Sequence, residues 1–511
     1  MSVKLPVLVS DGMVLQRDAE VKIWGTADEP VTVCFLGIEY HTIPDSAGNW
    51  EITMSKLLPG GPFEMRINNI SIHQVFVGDV WLCSGQSNMQ IPIRRTRHMY
   101  PEELQVHNPC IRQFTVPIHY DFKAPAEELN DGSWMGASPE TIMDFSAAAY
   151  FFAKRLFEQY HVPIGLILAA SGGTKIHSWM SREALADFPE LLHEADICME
   201  DKYISAVKSE DAKHQECFFN DIDSTDPGLK EEWYSTDYDD ISWDDKELLS
   251  PWSGSGSIWL RKTLQIPSEL AGKPATLFLG TLTDWDMVYV NGQAVGNTVY
   301  CYPPREYVIP SLPNGKCVIT IRAISNNGGY FTPGKQYLLT TDEGSFNLNT
   351  SWKFRQGGYS DPPIPITFFE YKPVGLYNGM IAPLKRYAVK GAIWYQGESD
   401  CTNPEHYCDK MIHLVSCWRK NWSCEFPFIF VELPHWSIGT DWESLRKEQW
   451  KALTISNTAM AAAFDLGEHN DLHPQNKQPI GYRLARCAMR IAYGEKLEHS
   501  PFEIIGYIKQ E

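Results

Sequence analysis

Residues 80–89 read Val-Trp-Leu-Cys-Ser-Gly-Gln-Ser-Asn-Met, a short apolar run followed by small and polar residues. This pattern predicts a buried strand that delivers Ser87 to the turn after its carboxyl end. In a parallel α/β sheet such a turn leads into the next helix, where free N–H groups and the helix dipole favour developing negative charge. A serine there can attack a carbonyl, or it can simply cap the helix. Taken alone, residues 80–89 favour the capping role.

Three further stretches show the same pattern. They are Ala-Ala-Ser-Gly-Gly-Thr-Lys-Ile at 169–176, Ile-Trp-Tyr-Gln-Gly-Glu-Ser-Asp at 393–400 and Phe-Asp-Leu-Gly-Glu-His-Asn-Asp-Leu-His-Pro at 464–474. Packing alone does not account for four apolar runs that each lead into residues capable of chemistry. We therefore expect these four strand ends to form one functional site.

Length and charge limit the kinds of protein that this chain can be. With 511 residues it is too long for one hydrophobic core, and two to four domains are expected. The formal charge of −20 argues against nucleic acid and against anionic membrane surfaces as partners. A neutral or cationic substrate suits this charge better, and an anionic sugar would need local arginines.

Targeting signals and cysteines bear on the compartment. We find no apolar run of membrane-spanning length and no signal-peptide pattern after Met1, which predicts a cytoplasmic protein, or a secreted or periplasmic one whose signal has been removed. The twelve cysteines are scattered, and Cys401, Cys408, Cys417 and Cys424 lack the short gaps of a zinc site. Reduced thiols are expected, with a disulfide among these four left open.

Patterning along the chain predicts an α/β protein in which an all-β domain interrupts the catalytic one. Short alternating strands at 1–77 predict an N-terminal, Ig-like β-sandwich, and 78–220 begins the α/β domain. Residues 221–350 return to strands, with Asn291-Gly292 as a hairpin turn, and predict an inserted jelly-roll domain that resembles those beside glycosidases. Residues 351–511 complete the α/β domain.

The four motifs, in this order along the chain, resemble the SGNH/GDSL-like carbohydrate esterases of the sialate O-acetylesterase type. The pair Gly-Gln-Ser-Asn-Met and Trp-Tyr-Gln-Gly-Glu-Ser is the most specific part of the resemblance, which covers most of the chain. It implies a three-layer α/β/α catalytic domain of the SGNH type. It also implies a serine esterase that needs no cofactor.

Ester cleavage by Ser87 needs a base and a group that orients the base. His473 is the best candidate among fifteen histidines, since it follows a predicted strand in a loop fixed by Pro474. The resemblance implies His473 as general base with Asp471 as its acid. Relatives of the wider superfamily often carry the acid three residues before the histidine, where this chain has Asn470. Two other carboxylates therefore stay open as the acid, first Glu398 and then Asp465.

The negative oxygen of the tetrahedral intermediate needs hydrogen-bond donors. The resemblance implies the N–H of Ser87, the N–H of Gly172 or Gly173, and the side-chain amide of Gln396. An ordinary tight turn would also explain the two glycines. A strand-end hydrogen bond would also explain Gln396.

A metal site is the rival interpretation. His469 and His473 are four residues apart with acidic neighbours, which would suit zinc on a helix. Gly467, Asn470 and Pro474 all oppose a helix there. We therefore expect neither a metal nor a cofactor.

The function predicted from the sequence is a carbohydrate O-acetylesterase, with acetylated sialic acid as the first substrate. An acetylesterase of plant polysaccharides such as xylan or xyloglucan is the first alternative. A carbohydrate-binding protein that has lost catalysis is the second. The substrate is an acetylated carbohydrate, and the sequence makes no prediction of oligomeric state.

Overall fold

The structure is a computed structural model that describes residues 3–436, 442–469, 471–498 and 500–506. The chain forms two compact units. Unit 1 comprises Met1–Tyr203 and Phe368–Glu511, and unit 2 comprises Ile204–Thr367. The predicted mixed α/β class is confirmed.

Strands and helices are numbered in chain order. The first stretch of unit 1 contains the strands β1 (Val14–Gln16), β2 (Val21–Thr26), β3 (Val31–Phe35), β4 (Ile38–Thr42), β5 (Asn49–Met54), β6 (Gly60–Ile67), β7 (Ile70–Gly85), β8 (Asn108–Thr115), β9 (Trp134–Ala137) and β10 (Ile164–Ala170). Unit 2 contains the strands β11 (Asp244–Glu247), β12 (Gly256–Ile266), β13 (Ala275–Leu279), β14 (Trp285–Val290), β15 (Gln293–Thr298), β16 (Glu306–Ile309), β17 (Gly315–Ser325), β18 (Tyr337–Thr341), β19 (Gly344–Asn347) and β20 (Ser351–Tyr359). The second stretch of unit 1 contains the strands β21 (Gly391–Tyr395), β22 (Phe428–Val431), β23 (Thr458–Ala461) and β24 (Glu503–Ile505). The helices are α1 (Ser87–Gln90), α2 (Ile93–Thr96), α3 (Ala147–Tyr160), α4 (Pro189–Cys198), α5 (Asp201–Thr225), α6 (Pro227–Lys230), α7 (Tyr407–Trp422), α8 (Trp442–Lys451) and α9 (Gln478–Ile491).

A largely parallel sheet forms the centre of unit 1. Its strand order is β24-β23-β22-β21-β7-β10-β8-β9, and every pair from β23 to β8 is parallel. The outer strands β24 and β9 are antiparallel to their neighbours. All seven residues of β10 are buried, as its continuous apolar sequence predicts for a strand covered on both faces.

Helices cover both faces of this sheet. On one face, Phe152 of α3 packs edge-on against Trp81 of β7, with ring centroids 5.0 Å apart. Trp394 of β21 is in register with Ser84, three residues after Trp81, so its side chain points to the opposite face. There its ring packs edge-on against that of Trp418 of α7, with ring centroids 5.7 Å apart. The parallel strands are therefore held between apolar helix surfaces.

Strand β7 runs through the boundary predicted between residues 77 and 78. Its first part pairs with β1 and β6, and its second part pairs with β10 and β21. Gly78, which breaks the apolar pattern in the sequence, lies inside the strand. Glycine is needed at this position because the backbone of Pro163 approaches too closely for a side chain. A Cβ at Gly78 would lie 1.9 Å from that carbonyl oxygen. The N-terminal strands thus belong to unit 1.

Unit 2 contains two antiparallel sheets, β11-β20-β12-β17-β14-β15 and β16-β13-β18-β19. The hairpin expected at Asn291-Gly292 joins β14 to β15, and both turn residues have positive φ angles of 46° and 80°. The compact unit begins at Ile204 and ends at Thr367, outside the predicted limits of 221 and 350. Trp259, whose place in a strand pattern favours the core over a sugar contact, is completely buried.

Two expectations about the whole chain concern its cysteines and its helices. Each of the twelve cysteines lies in the described ranges, and none of them is joined to another in a disulfide. Within these ranges, no helix combines the length and the apolar character needed to cross a membrane.

Candidate active site

The predicted site residues converge at one edge of the parallel sheet. Strands β7, β10 and β21 are parallel neighbours, so their carboxyl ends meet there. Ser87 begins α1 directly after β7, Gly172 follows β10, and Gln396 follows β21. His473 comes from the loop between β23 and α9.

Ser87 and His473 are in direct contact. The Ser87 Oγ lies 2.9 Å from His473 Nε2, although the two residues are 386 positions apart. The imidazole is buried, whereas Ser87 is half-buried. A hydroxyl at this distance can donate its proton to a neutral imidazole as it attacks a carbon atom.

Asp471 lies beside the imidazole, as expected of the acid. Its Oδ1 accepts the backbone N–H of His473 at 2.8 Å and lies 3.8 Å from His473 Nδ1, which is an electrostatic rather than a hydrogen-bond distance. Gln475 donates both to Asp471 Oδ2 at 3.3 Å and to the His473 carbonyl at 2.8 Å. These contacts fix the shape of the loop that carries the imidazole.

The two alternative acids have other partners. Arg483 binds both carboxylate oxygens of Asp465, at 2.6 and 2.7 Å, and this ion pair lowers the pKa of Asp465. Glu398 accepts a hydrogen bond from Asn88. Of the three carboxylates considered from the sequence, Asp471 is thus the one with contacts to His473.

Gly172 lies against Ser87, but its N–H is already in use. A Cβ at Gly172 would lie 3.5 Å from the Cβ of Ser87, so the two residues touch. The Gly172 N–H donates to Gln90 Oε1 at 2.8 Å. A side chain at Gly173, whose φ is +76°, would collide with the Tyr371 hydroxyl at 2.0 Å. Close packing and the positive φ angle therefore favour glycine at position 173, whereas a Cβ at position 172 would meet no atom nearer than 3.3 Å.

Gln396, predicted as an oxyanion donor, has its side-chain amide bound within the protein. It is 0% exposed, and its Nε2 donates to the Thr174 carbonyl at 3.1 Å and to Asp400 Oδ2 at 2.6 Å. Its Oε1 accepts from the Tyr407 hydroxyl at 2.8 Å. Because both amide hydrogens are donated within the protein, none is left for an oxyanion. Gln396 instead ties the loop after β10 to the loop after β21.

The backbone N–H of Ser87 is the remaining predicted oxyanion donor. Within the described ranges it has no protein acceptor, as expected of the first N–H in a helix.

The segment around His469, considered above as part of a metal site, is not helical, since Glu468 and Asp471 form a β-bridge across a turn. The i, i+4 spacing of His469 and His473 therefore does not place them on one helix face. Asn470 lies outside the described residues.

The sequence did not indicate two further residues at the site. Asn88 is buried next to Ser87, and its amide donates to the carbonyl of Leu472, the residue before His473, at 3.1 Å. Lys477 is buried four residues after His473 and donates to Asn88 Oδ1. The feature of the sequence that could have indicated Asn88 and Lys477 is their closeness in the chain to the motif residues Ser87 and His473.

Comparison with known proteins shows which family this chain resembles. A family model described as carbohydrate esterase, sialic acid-specific acetylesterase, matches residues 77–209 and 365–490. The sialate O-acetylesterase of Rattus norvegicus is 23% identical over 96% of this chain and 73% of its own length. That of Homo sapiens is 29% identical over 35% of this chain and 38% of its own.

A solved structure shares the fold. The crystal structure of a carbohydrate acetylesterase from Xanthomonas citri covers 98% of this chain and 77% of its own, with a TM-score of 0.59 and 23% sequence identity. The chain is thus a carbohydrate O-acetylesterase, a hydrolase of carboxylic esters. It belongs to the carbohydrate esterase, sialic acid-specific acetylesterase family.

Proposed function

We propose that this enzyme removes O-acetyl groups from sialic acids, with Ser87 as nucleophile and His473 as general base. The observation that carries the catalytic part is the 2.9 Å contact between Ser87 Oγ and His473 Nε2. The substrate part is supported by the sialate O-acetylesterases of rat and mouse, which align with 96% of this chain.

The reaction runs in two halves. Ser87 Oγ attacks the acetyl carbonyl carbon while its proton passes to His473 Nε2. The tetrahedral intermediate collapses, the sugar oxygen leaves with the proton from His473, and the acetyl group stays on Ser87. Water then loses a proton to His473 and attacks the acetyl-enzyme. The bond between the acetyl carbon and Ser87 Oγ breaks, Oγ takes the proton back from His473, and acetate leaves.

Charge develops at two places during these steps. The Asp471 carboxylate, 3.8 Å from Nδ1, stabilises the imidazolium that forms when His473 takes the proton. The oxyanion is stabilised by the N–H of Ser87. The N–H of Gly172 joins it once the substrate oxygen replaces Gln90 Oε1 as its acceptor.

Replacing the nucleophile tests the catalytic part. Ser87→Ala should lower the hydrolysis of p-nitrophenyl acetate at least about 10³-fold, because the acetyl-enzyme cannot form. Ser84→Ala is the matched control, since Ser84 is a buried serine of β7 that lies three residues before Ser87. This control should keep wild-type activity. Activity retained in Ser87→Ala would refute the nucleophile assignment.

Acetate release from two substrates tests the sugar. Acetylated sialic acid should be cleaved with a higher kcat/KM than acetylated xylo-oligosaccharides. The reverse order would move the substrate to plant polysaccharides and leave the catalytic assignment intact.

A further inference from the structure

A buried lysine lies behind the serine–histidine pair. Lys477, the residue before α9, is 1% exposed and donates to the side-chain oxygen of Asn88. Its Nζ also lies 5.4 Å from the ring centroid of Tyr395. Burial lowers its pKa to about 8, against the attraction of Glu398, Asp471 and Glu468, and Arg95 lowers it further. A buried ammonium is costly to retain, so a compensating role is expected.

The lysine determines the orientation of the Asn88 amide. A lysine ammonium can only donate hydrogen bonds, so the atom of Asn88 that faces it must be Oδ1. The Nδ2 group then points the other way and donates to the Leu472 carbonyl at 3.1 Å and to Glu398 Oε1. One amide thereby joins the residue after Ser87 to the residue before His473.

Glu398 supplies the opposite charge. Its Oε1 accepts from Asn88, while Oε2 is shielded from solvent and has no hydrogen-bond partner among the described residues. Burial raises the pKa of this carboxyl, while Asn88 and Lys477 lower it. The Lys477 ammonium thus binds the oxygen of the Asn88 amide, and the Glu398 carboxylate binds its nitrogen.

We propose that Lys477 and Glu398 are positioning residues that act through Asn88 to hold the Ser87 turn and the His473 loop at reacting distance. This inference rests on the proposed roles of Ser87 and His473. Without the ammonium, the amide can rotate and present its oxygen to the Leu472 carbonyl, which breaks the tether. A small misplacement of reacting groups can cost about 10²-fold in rate.

Lys477→Met is the first test. We expect kcat for p-nitrophenyl acetate to fall about 10²-fold with KM nearly unchanged, because orientation rather than binding is lost. Lys154→Met is the matched control. It removes the lysine that binds the buried Glu103 elsewhere in unit 1, and it should lower stability but not kcat.

The double variant Lys477→Met/Glu398→Gln separates positioning from stability and guards against poor folding of the single variant. It removes both buried charges, so the melting temperature should recover towards that of the wild type. The kcat should stay at least about 10-fold low, because nothing holds Asn88 Oδ1. Recovery of kcat together with stability would overturn the inference, as would a folded Lys477→Met with wild-type kcat.

The labelling rate of Ser87 with a fluorophosphonate distinguishes failure of the positioning role from failure of the proposed function. The rate should fall in Lys477→Met in parallel with kcat and be unchanged in Lys154→Met. Equal labelling of wild type and Lys477→Met would overturn the positioning role alone. A wild-type protein that neither hydrolyses esters nor labels at Ser87 would overturn the proposed function, and this inference with it.

Discussion

At the scale of single residues, His473 depends on Asp471 in two ways. Asp471 Oδ1 holds the backbone N–H of His473 at 2.8 Å, and the same oxygen lies 3.8 Å from Nδ1 of the ring. The first contact sets the shape of the loop. The second supplies negative charge beside a ring that becomes positive during catalysis.

Asp471→Asn separates these two contributions. The asparagine oxygen can still accept the backbone N–H, so the loop should keep its shape while the charge is lost. We expect kcat for p-nitrophenyl acetate to fall 10²- to 10⁴-fold, as a rough range, with normal thermal stability. Asp465→Asn, at the carboxylate that Arg483 binds, should retain activity. A wild-type kcat in Asp471→Asn would contradict the assignment.

At the scale of elements, a short 3₁₀ helix at Ile176–Trp179 follows the glycine turn and carries His177. The buried ring contacts the backbone carbonyl of Tyr371 through Nε2 at 3.1 Å, so Nε2 is the nitrogen that donates. This bond anchors Tyr371, whose hydroxyl fills the space beside Gly173. Burial lowers the pKa of His177 from 6.5 to about 3, so the ring stays neutral in the folded protein.

This lowered pKa predicts a pH dependence of stability. Between pH 6.5 and 3 the unfolded chain protonates His177 and the folded chain does not, so the free energy of unfolding falls as the pH falls. At pH 5 the loss due to His177 should be about 2 kcal/mol. His177→Gln keeps a donor but does not titrate. It should therefore lose about 2 kcal/mol less than the wild type between pH 7 and 5 in urea unfolding. Equal losses would show that His177 is not the group responsible.

At the scale of the whole molecule, the two units have different relations to the sequence. Unit 2 is one continuous segment, and the core between its two sheets is formed by its own residues, such as Leu277, Ile321 and Leu339. Unit 1 is built from two segments of the chain. Its central strand β7 pairs with β21, which lies about 300 residues later in sequence.

This difference predicts which fragments fold. Residues 201–367, which keep α5 whole, should unfold cooperatively in urea and show a near-UV circular dichroism signal. Residues 3–203 should not, because β7 would lose its partner β21 and become an unpaired apolar edge. Non-cooperative unfolding of the first fragment, or cooperative unfolding of the second, would contradict this division.

Local sequence patterns predict the buried strands, the turns that follow them, and Ser87, Asp471 and His473 as candidates, because each is encoded by a few consecutive residues. Which of these groups meet is established only in the folded chain. Gln396 proved to be bound within the protein, because Thr174 and Asp400 reach it from different loops. The contact of Lys477 with Asn88 joins residues 389 positions apart. Such contacts depend on which strands are neighbours in the sheet, and the order of strands in a sheet cannot be predicted from a local pattern in the sequence.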